Sequence, residues 1–160
     1  DELTGQHDMG GSERELIEYA ALLHDIGWHI GPRGHHKHAE YLILNSELER
    51  HFTKEEVSVI ASIARHHRKR PPGIEFRRYA RLSRQARRVV DVGTALLRIA
   101  DGLDRSHSSV VKGLGCVIGS RKVTCTLLTK ADAELEIWGA RRKASWFEHV
   151  FERPIEFLEA

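Results

Sequence analysis

The stretch Ala20-Ala21-Leu22-Leu23-His24-Asp25-Ile26-Gly27-Trp28 joins an apolar helical run to an adjacent histidine–aspartate pair and a glycine. Taking an ionised carboxylate out of water costs several kcal/mol unless a cation, a metal or several hydrogen-bond donors compensate. The pair therefore predicts a bound cation or a dense hydrogen-bond network at this point. With about 3.6 residues per turn, His24 and Asp25 lie about 100° apart on the helix, so both can reach one point beyond its end.

Capping patterns and apolar periodicity around this stretch predict a helical domain. Residues 1–11 read as a loop, and Ser12 with Glu15 fits a capping box that opens the first helix, which ends near Gly27. A long helix of about 33 Å is predicted near the end of the domain. The helices predicted after the first are residues 35–44, a segment opened by a capping box of Thr53 with Glu56, and residues 83–105.

After residue 108 the pattern changes to β-branched and alternating segments separated by short polar turns. We therefore predict a mostly α fold, with a helical domain over residues 1–108 and a small β-β-β-α-β appendage, of α+β type, over residues 109–160. The elements predicted for the appendage are strands at 110–118, 122–128 and 134–138, a helix at about 140–151 and a last strand at 154–158.

Composition limits the class of protein. A chain of 160 residues suits one well-filled domain with an appendage. The sequence has no apolar run long enough to span a membrane and no signal segment at its start, so we expect a cytoplasmic location and no membrane partner. Cys116 and Cys125 are too few for a disulfide framework, and we expect both to be ordinary half-buried strand residues.

Positive charge is concentrated in one segment although the net charge is only +2. Residues 65–88, here called the basic belt, are dense in Arg and Lys and contain Glu75 as their only acid. Such a belt suits an anionic partner: phosphate, polyphosphate or nucleic acid. The alternative is a solvated helix face. Nucleic acid is disfavoured because the three tryptophans are not interleaved with the belt as stacking platforms.

Histidines and aspartates at predicted helix ends are the candidate metal ligands. Imidazole and carboxylate together suit a divalent ion such as Mn, Mg, Zn or Fe. Asp101 opposes the dipole of its helix, so it is not placed for helix stability, although Arg98 and Arg105 are spaced to pair with it. We expect these groups to converge on one cleft walled by arginines. The candidate metal ligands are His24, Asp25, His66, His67 and Asp101.

Four stretches in order carry a resemblance to a known family: residues 24–28, 34–38, 64–69 and 97–106. Together they resemble the C-terminal half of the exopolyphosphatase / guanosine pentaphosphate phosphohydrolase (Ppx/GppA) family, within the HD superfamily of helical metal-dependent phosphohydrolases. The resemblance implies an HD-like helical bundle. It also implies that hydrolysis belongs to N-terminal actin-like domains, whose glycine-rich phosphate loops and catalytic glutamate have no counterpart in these residues.

The HD resemblance also bears on the metal. It implies that His24, Asp25 and Asp101 hold an ion with one of the later histidines. HD enzymes usually add a histidine from a helix upstream, whereas the histidine that precedes Ser12 here is His7, which lies in a predicted loop. Many HD enzymes also carry a lysine where this chain has Trp28.

Three functions remain open from the sequence. The first is an HD-like module that binds polyphosphate or a related phosphate-rich anion, with the family's actin-like domains as partners. The second is a stand-alone metal-dependent HD phosphohydrolase, so whether the chain is an enzyme stays open. The third is a structural or dimerisation module forming a homodimer. The candidate anion-binding residues are His36, His38, Arg65, Arg68, Lys69, Arg98 and Arg105, and His35 is expected in the same cleft.

Overall fold

A computed structural model of the chain describes residues 9–160. The loop predicted at 1–11 therefore falls mostly outside the described residues, as does His7. The described chain divides into two compact units, Met9–Thr94 and Ala95–Ala160, with the division inside one long helix. The domain boundary predicted at residue 108 stays a prediction: the helix ends at Leu103, and the first strand begins at Val111.

The N-terminal unit is built around a central helix whose side chains are buried on nearly every side. This helix, α3 (Lys54–His66), carries Val57, Ile60 and Ile63 into the core. Ile63 packs so closely on the long helix that a Cβ at Gly93 would lie 2.6 Å from its Cδ1. Short 3-10 turns at Ile26–His29 and Glu47–Arg50 join the helices. The helices are α1 (Gly11–Leu23), α2 (His35–Leu44), α3 (Lys54–His66), α4 (Arg77–Arg81) and α5 (Arg84–Leu103), which continues into the second unit.

The two predicted capping boxes have different outcomes. The box at α3 is confirmed, because the Glu56 carboxylate accepts the Thr53 N–H at 2.7 Å and the Glu56 N–H donates to the Thr53 hydroxyl at 3.3 Å. The box predicted from Ser12 is wrong. Helix α1 begins earlier, and the Glu13 carboxylate accepts the N–H of its N-cap, Gly10, at 3.0 Å.

The C-terminal unit contains a three-stranded sheet and two short helices. The strands β1 and β2 are antiparallel, and β3 lies parallel to β2 on its other side. The mostly α fold with a small α+β appendage is thus confirmed among the described residues. The elements are β1 (Val111–Ile118), β2 (Val123–Thr129), α6 (Glu134–Arg141), α7 (Ala144–Phe151) and β3 (Ile155–Glu159).

One strand predicted for the appendage is wrong. Residues 134–138 form the first turns of α6 and not a strand, so the order is β-β-α-α-β. The segment alternates like a strand, but Ala133, Glu136 and Ala140 also share a helical face, and all three are buried. The buried Glu136 carboxylate accepts the Ser106 N–H at 3.1 Å. Hydrogen bonds from the Ser106 side chain and from its backbone lower the pKa of Glu136. This tertiary contact, invisible in the local pattern, fixes the helix.

A close approach of α5 and α6 depends on glycine. A Cβ at Gly102 would lie 2.6 Å from the Ala140 Cα, and one at Gly139 would lie 2.5 Å from the Gly102 carbonyl oxygen. Both distances are far below van der Waals contact, so neither position accepts a side chain without separating the helices.

The two cysteines form a disulfide, which corrects the prediction of ordinary strand residues. Cys116 and Cys125 are opposite each other in the β1–β2 register, with their Cα atoms 4.2 Å apart. Sequence spacing cannot reveal this pairing, because it depends on where the β1–β2 turn sets the register. Separately, across residues 9–160 no helix has the combined length and apolarity needed to cross a membrane.

Candidate functional site

The first part of the site is positioned by a glycine contact between the 3-10 turn and α2. A Cβ at Gly27 would lie 2.0 Å from the His35 carbonyl oxygen and 2.6 Å from the Ala39 nitrogen. Only glycine lets the turn lie directly on the first turn of α2. This approach brings Asp25, which precedes the turn, against the histidine that opens α2.

Three side chains from three separate segments meet there, and we call them the metal cluster: Asp25, His35 and His67. Asp25 Oδ1 lies 3.3 Å from His35 Nε2 and 3.8 Å from His67 Nε2. The two Nε2 atoms are 3.3 Å apart. One ligand atom from each residue falls within 4.8 Å of the others, and both imidazoles are buried. This spacing would allow all three to bind one ion.

Hydrogen bonds to backbone carbonyls set the orientation of the imidazoles. His67 Nδ1 lies 2.7 Å from the Ala64 carbonyl oxygen, and His35 Nδ1 lies 3.2 Å from that of Pro32. A carbonyl only accepts, so each ring in its neutral form carries the proton on Nδ1 and presents the Nε2 lone pair to the cluster. Burial lowers the pKa of His35, which keeps its imidazole neutral. Two lone pairs and a carboxylate facing one another suit a cation.

His24 supports the cluster from the side. Its Nδ1 lies 2.7 Å from the Ala21 carbonyl oxygen, its Nε2 lies 3.4 Å from Asp25 Oδ2, and its ring contacts that of His67 edge to face. His24 thus faces the second oxygen of Asp25, while the cluster uses the first.

Trp28 and Arg68 flank His35. The Trp28 ring stacks on the imidazole, with centroids 4.8 Å apart. Arg68 Nη1 lies 3.3 Å from both ring nitrogens of His35. A fixed positive charge so near the metal cluster opposes a bare divalent ion and favours one that also carries an anion.

Arg68 also lines the second part of the site, which we call the basic pocket. It has a volume of about 450 Å³ and lies between the start of α2 and the end of α3. Among residues 9–160 no acidic side chain lines it. Its cationic side chains are those of Lys37, Arg65, Arg68, Lys69 and Arg70.

His36 forms a buried wall of the basic pocket. Burial, together with the positive charges of Arg65 and Arg68, lowers the pKa of His36 to about 4, so the ring is neutral near pH 7. Its buried Nδ1 has no hydrogen-bond partner within residues 9–160, and neither has the buried Nη1 of Arg65. Unsatisfied buried polar atoms are costly, and a ligand that paired them would recover that free energy.

The predicted metal ligands are only partly brought together. Asp25 and His67 join the metal cluster, and His24 lies beside it. His66 faces elsewhere: its Nδ1 lies 3.0 Å from the Arg70 carbonyl oxygen and its ring packs on Phe76, in the wall of the basic pocket. Asp101 belongs to the C-terminal unit, where it forms an ion pair with Lys143. A metal role for Asp101 stays a prediction.

Some of the predicted anion-binding residues line the basic pocket and others do not. His36, Arg65, Arg68 and Lys69 line the basic pocket, and His38 does not. Arg98 and Arg105 belong to the C-terminal unit, and their role stays a prediction. Sequence reasoning missed three residues that the structure adds: His35 as a ligand, and Lys37 and Arg70 in the pocket. The histidine cluster at 34–38 was the available signal for His35.

Comparison with known families decides the relationship. Residues 2–143 match the family model of Ppx/GppA phosphatase, domain III. This chain belongs to the Ppx/GppA family. The match spans all four stretches on which the resemblance was based, and so covers both parts of the site. In this Ppx/GppA domain the signature residues His24 and Asp25 lie at the metal cluster, while Asp101 is paired within the other unit.

Proposed function

We propose that this Ppx/GppA domain binds polyphosphate or a related phosphate-rich anion in the basic pocket. The observation that carries the proposal is the pair of buried, unsatisfied groups, His36 Nδ1 and Arg65 Nη1, in the wall of a pocket lined by cations. Nothing within the described part of the chain pairs them. A phosphate oxygen would accept from Arg65 at the same place where the other cations neutralise its charge.

Arginine chemistry fits this ligand. A guanidinium stays charged and presents a planar fork that matches two phosphate oxygens. The Glu40 carboxylate lies 3.3 Å from Arg65 Nε and so holds the guanidinium in place while its Nη1 stays available. Lys69 is held with a left-handed backbone, φ 64°, at the rim. A strained residue at a pocket rim is typical of a functional site.

Calorimetry with long-chain polyphosphate tests the proposal. The variant Arg68→Ala/Lys69→Ala removes two adjacent charges from the pocket, and we expect at least tenfold weaker binding, since each charged contact contributes on the order of 1 kcal/mol. The matched control is Arg121→Ala/Lys122→Ala, which removes the same dipeptide between β1 and β2. Binding should weaken as salt rises. An undetectable signal at low salt, or equal losses in both variants, would contradict the proposal.

A second candidate function, metal-dependent phosphohydrolysis, is favoured by the metal cluster. Asp25, His35 and His67 would supply the protein ligands, and two imidazoles with one carboxylate fit a divalent transition ion. Such an ion would polarise a phosphoryl oxygen and lower the pKa of a bound water. Arg68, shared with the basic pocket, would hold the phosphate beside the cluster.

Metal analysis separates this candidate from the first. A phosphohydrolase should contain a stoichiometric ion that is lost in Asp25→Ala, and should release phosphate from tripolyphosphate in the presence of Mn²⁺. Ser12→Ala is a suitable control, because that side chain is exposed in α1. Protein that binds polyphosphate, takes up no ion and releases no phosphate would retain the first proposal and remove the second.

A further inference from the structure

The disulfide of the C-terminal unit joins two strands that are packed very differently. No residue of β1 is buried, whereas Val123, Cys125 and Leu127 of β2 all are. Strand β1 lies at an edge of the sheet, and within residues 9–160 it pairs with β2 alone. Strand β1 therefore depends more than β2 on its backbone hydrogen bonds and on the bond between Cys116 and Cys125.

The sequence of β1 is poorly suited to forming a strand without support. Two of its eight residues, Gly113 and Gly115, are glycines, which lose more conformational entropy on ordering than other residues do. The segment before it contains His107 and Ser109, with φ of 52° and 49°. A left-handed backbone costs free energy at residues other than glycine, so the chain enters β1 under strain. A strand with these features opens readily unless a covalent bond holds it.

The two cysteines differ in their access to solvent. Cys125 is 2% exposed, and Cys116 on the edge strand is half-buried. Thiol–disulfide exchange requires a thiolate to reach one of the two sulfur atoms, so access decides which is attacked. An external thiolate therefore bonds to Cys116 Sγ and displaces the Cys125 thiolate, which takes up a proton. A second external thiolate then attacks the external sulfur of this mixed disulfide and releases Cys116.

We propose that Cys116 and Cys125 form a reversible thiol–disulfide switch that controls whether β1 stays on the sheet, with thiol or dithiol reductants as its reactants. In one cycle two external thiols are oxidised to a disulfide, and the protein pair takes up two electrons and two protons. Opening of β1 uncovers Leu127, which lies opposite Leu114 in the register. The inference is independent of anion binding, since the basic pocket belongs to the N-terminal unit.

Hydrogen exchange on the unaltered chain tests the control of β1. Without the cross-link opening costs less, so we expect the amides of β1 to exchange roughly tenfold faster or more after reduction by dithiothreitol. Amides near Phe147 in α7 and Phe157 in β3, both buried, should change by less than twofold. Cys116→Ala/Cys125→Ala should exchange like the reduced chain with or without dithiothreitol, and circular dichroism confirms that it is folded. Unchanged exchange of β1 on reduction overturns the proposal.

Matched single variants test which sulfur is attacked. Cys116 in the variant Cys125→Ala should form a mixed disulfide with oxidised glutathione roughly tenfold faster or more than Cys125 does in Cys116→Ala, as read by mass spectrometry. Equal rates overturn the assignment of Cys116.

Reduction of the folded chain separates a switch from a purely structural bond. We expect dithiothreitol to reduce the disulfide without denaturant and oxidised glutathione to restore it, as counted by maleimide labelling of free thiols. Reduction that requires urea, or a pair that oxidised glutathione cannot close, overturns the switch.

Discussion

The aspartates of the two signature stretches, Asp25 and Asp101, have opposite electrostatic surroundings. Asp25 faces the imidazoles of the metal cluster, whose lone pairs point toward it. Asp101, in the C-terminal unit, is paired with the ammonium group of Lys143. A carboxylate among lone pairs is arranged for a ligand, whereas one paired with a lysine is already neutralised. The same residue type in a shared signature thus has two different surroundings.

A glycine accompanies each aspartate and holds a close contact. Gly27 sets the 3-10 turn on α2, and Gly102 sets the end of α5 on α6. The difference lies in what the contact positions. At Gly27 it brings Asp25 to histidines from other segments, and at Gly102 it fixes helices around an ion pair. Four experiments, ordered by expected effect, test this comparison.

The largest effect is expected from Gly27→Ala. The new Cβ would lie 2.0 Å from the His35 carbonyl oxygen, which is backbone and cannot move without shifting α2. We expect the free energy of unfolding to fall by about 3–5 kcal/mol, as for other severe overpacking and backbone effects. Chemical denaturation measures it. The control is Gly31→Ala, where nothing lies within 4 Å of the added Cβ. Equal stability of the two variants would contradict the close contact.

The next effect is the response to a divalent ion. If Zn²⁺ or Mn²⁺ binds the metal cluster, a concentration 100 times the dissociation constant should stabilise the fold by about 2.7 kcal/mol, read as a rise in thermal midpoint. Asp25→Asn should abolish the rise. Asp101→Asn/Lys143→Met should retain it, because that pair is already satisfied without an ion. Loss of the rise in both variants would instead make Asp101 a ligand.

A smaller effect is expected at the ion pair itself. Asp101→Asn removes the negative charge that pairs with the half-buried ammonium of Lys143, so we expect a loss of about 1–2 kcal/mol in the free energy of unfolding. Lys143→Met removes the other partner. In a double-mutant cycle the two losses should add to more than the loss in the double variant. Strict additivity would show that the pair contributes nothing.

The smallest effect has the opposite sign. In metal-free buffer Asp25→Asn should raise the free energy of unfolding by a few tenths of a kcal/mol, up to about 1 kcal/mol. The substitution replaces a carboxylate that faces lone pairs with an amide that can donate to them. Thermal denaturation in a chelator measures the change, and Asn45→Asp, in the exposed C-cap of α2, gives the reverse substitution as a control. A loss of stability in Asp25→Asn would mean that the carboxylate already has a donor.

The sequence predicted the helices well where local chemistry dominates. The α3 capping box, the long helix and the last strand have unambiguous patterns. Alternation at 134–138 fits both a strand and a helix, and the buried contact of Glu136 with Ser106 decides between them. The cysteine pair depends on the β1–β2 register, which no single residue encodes.

The sequence predicted the kind of candidate site, a group of histidines and an aspartate, but not which residues form it. The signature indicated Asp25, and residues 66–67 indicated one inward histidine. Choosing His67 over His66 depends on a ring orientation set by a hydrogen bond to the Ala64 carbonyl. His35 could not be assigned from spacing, because it reaches Asp25 through the packing of a turn on a helix. The ion pair of Asp101 with Lys143 could not be predicted from spacing either, because the two residues lie 42 positions apart.

The steric role of Gly27 has a consequence for how such signatures are used to infer enzymes. The glycine is required wherever this turn rests on this helix, with or without an ion nearby. The presence of this glycine therefore indicates that the turn packs closely on the helix. It is not evidence for catalysis, even where it is counted as part of a catalytic motif. The evidence for hydrolysis in a chain of this kind must come from the surroundings of its two aspartates.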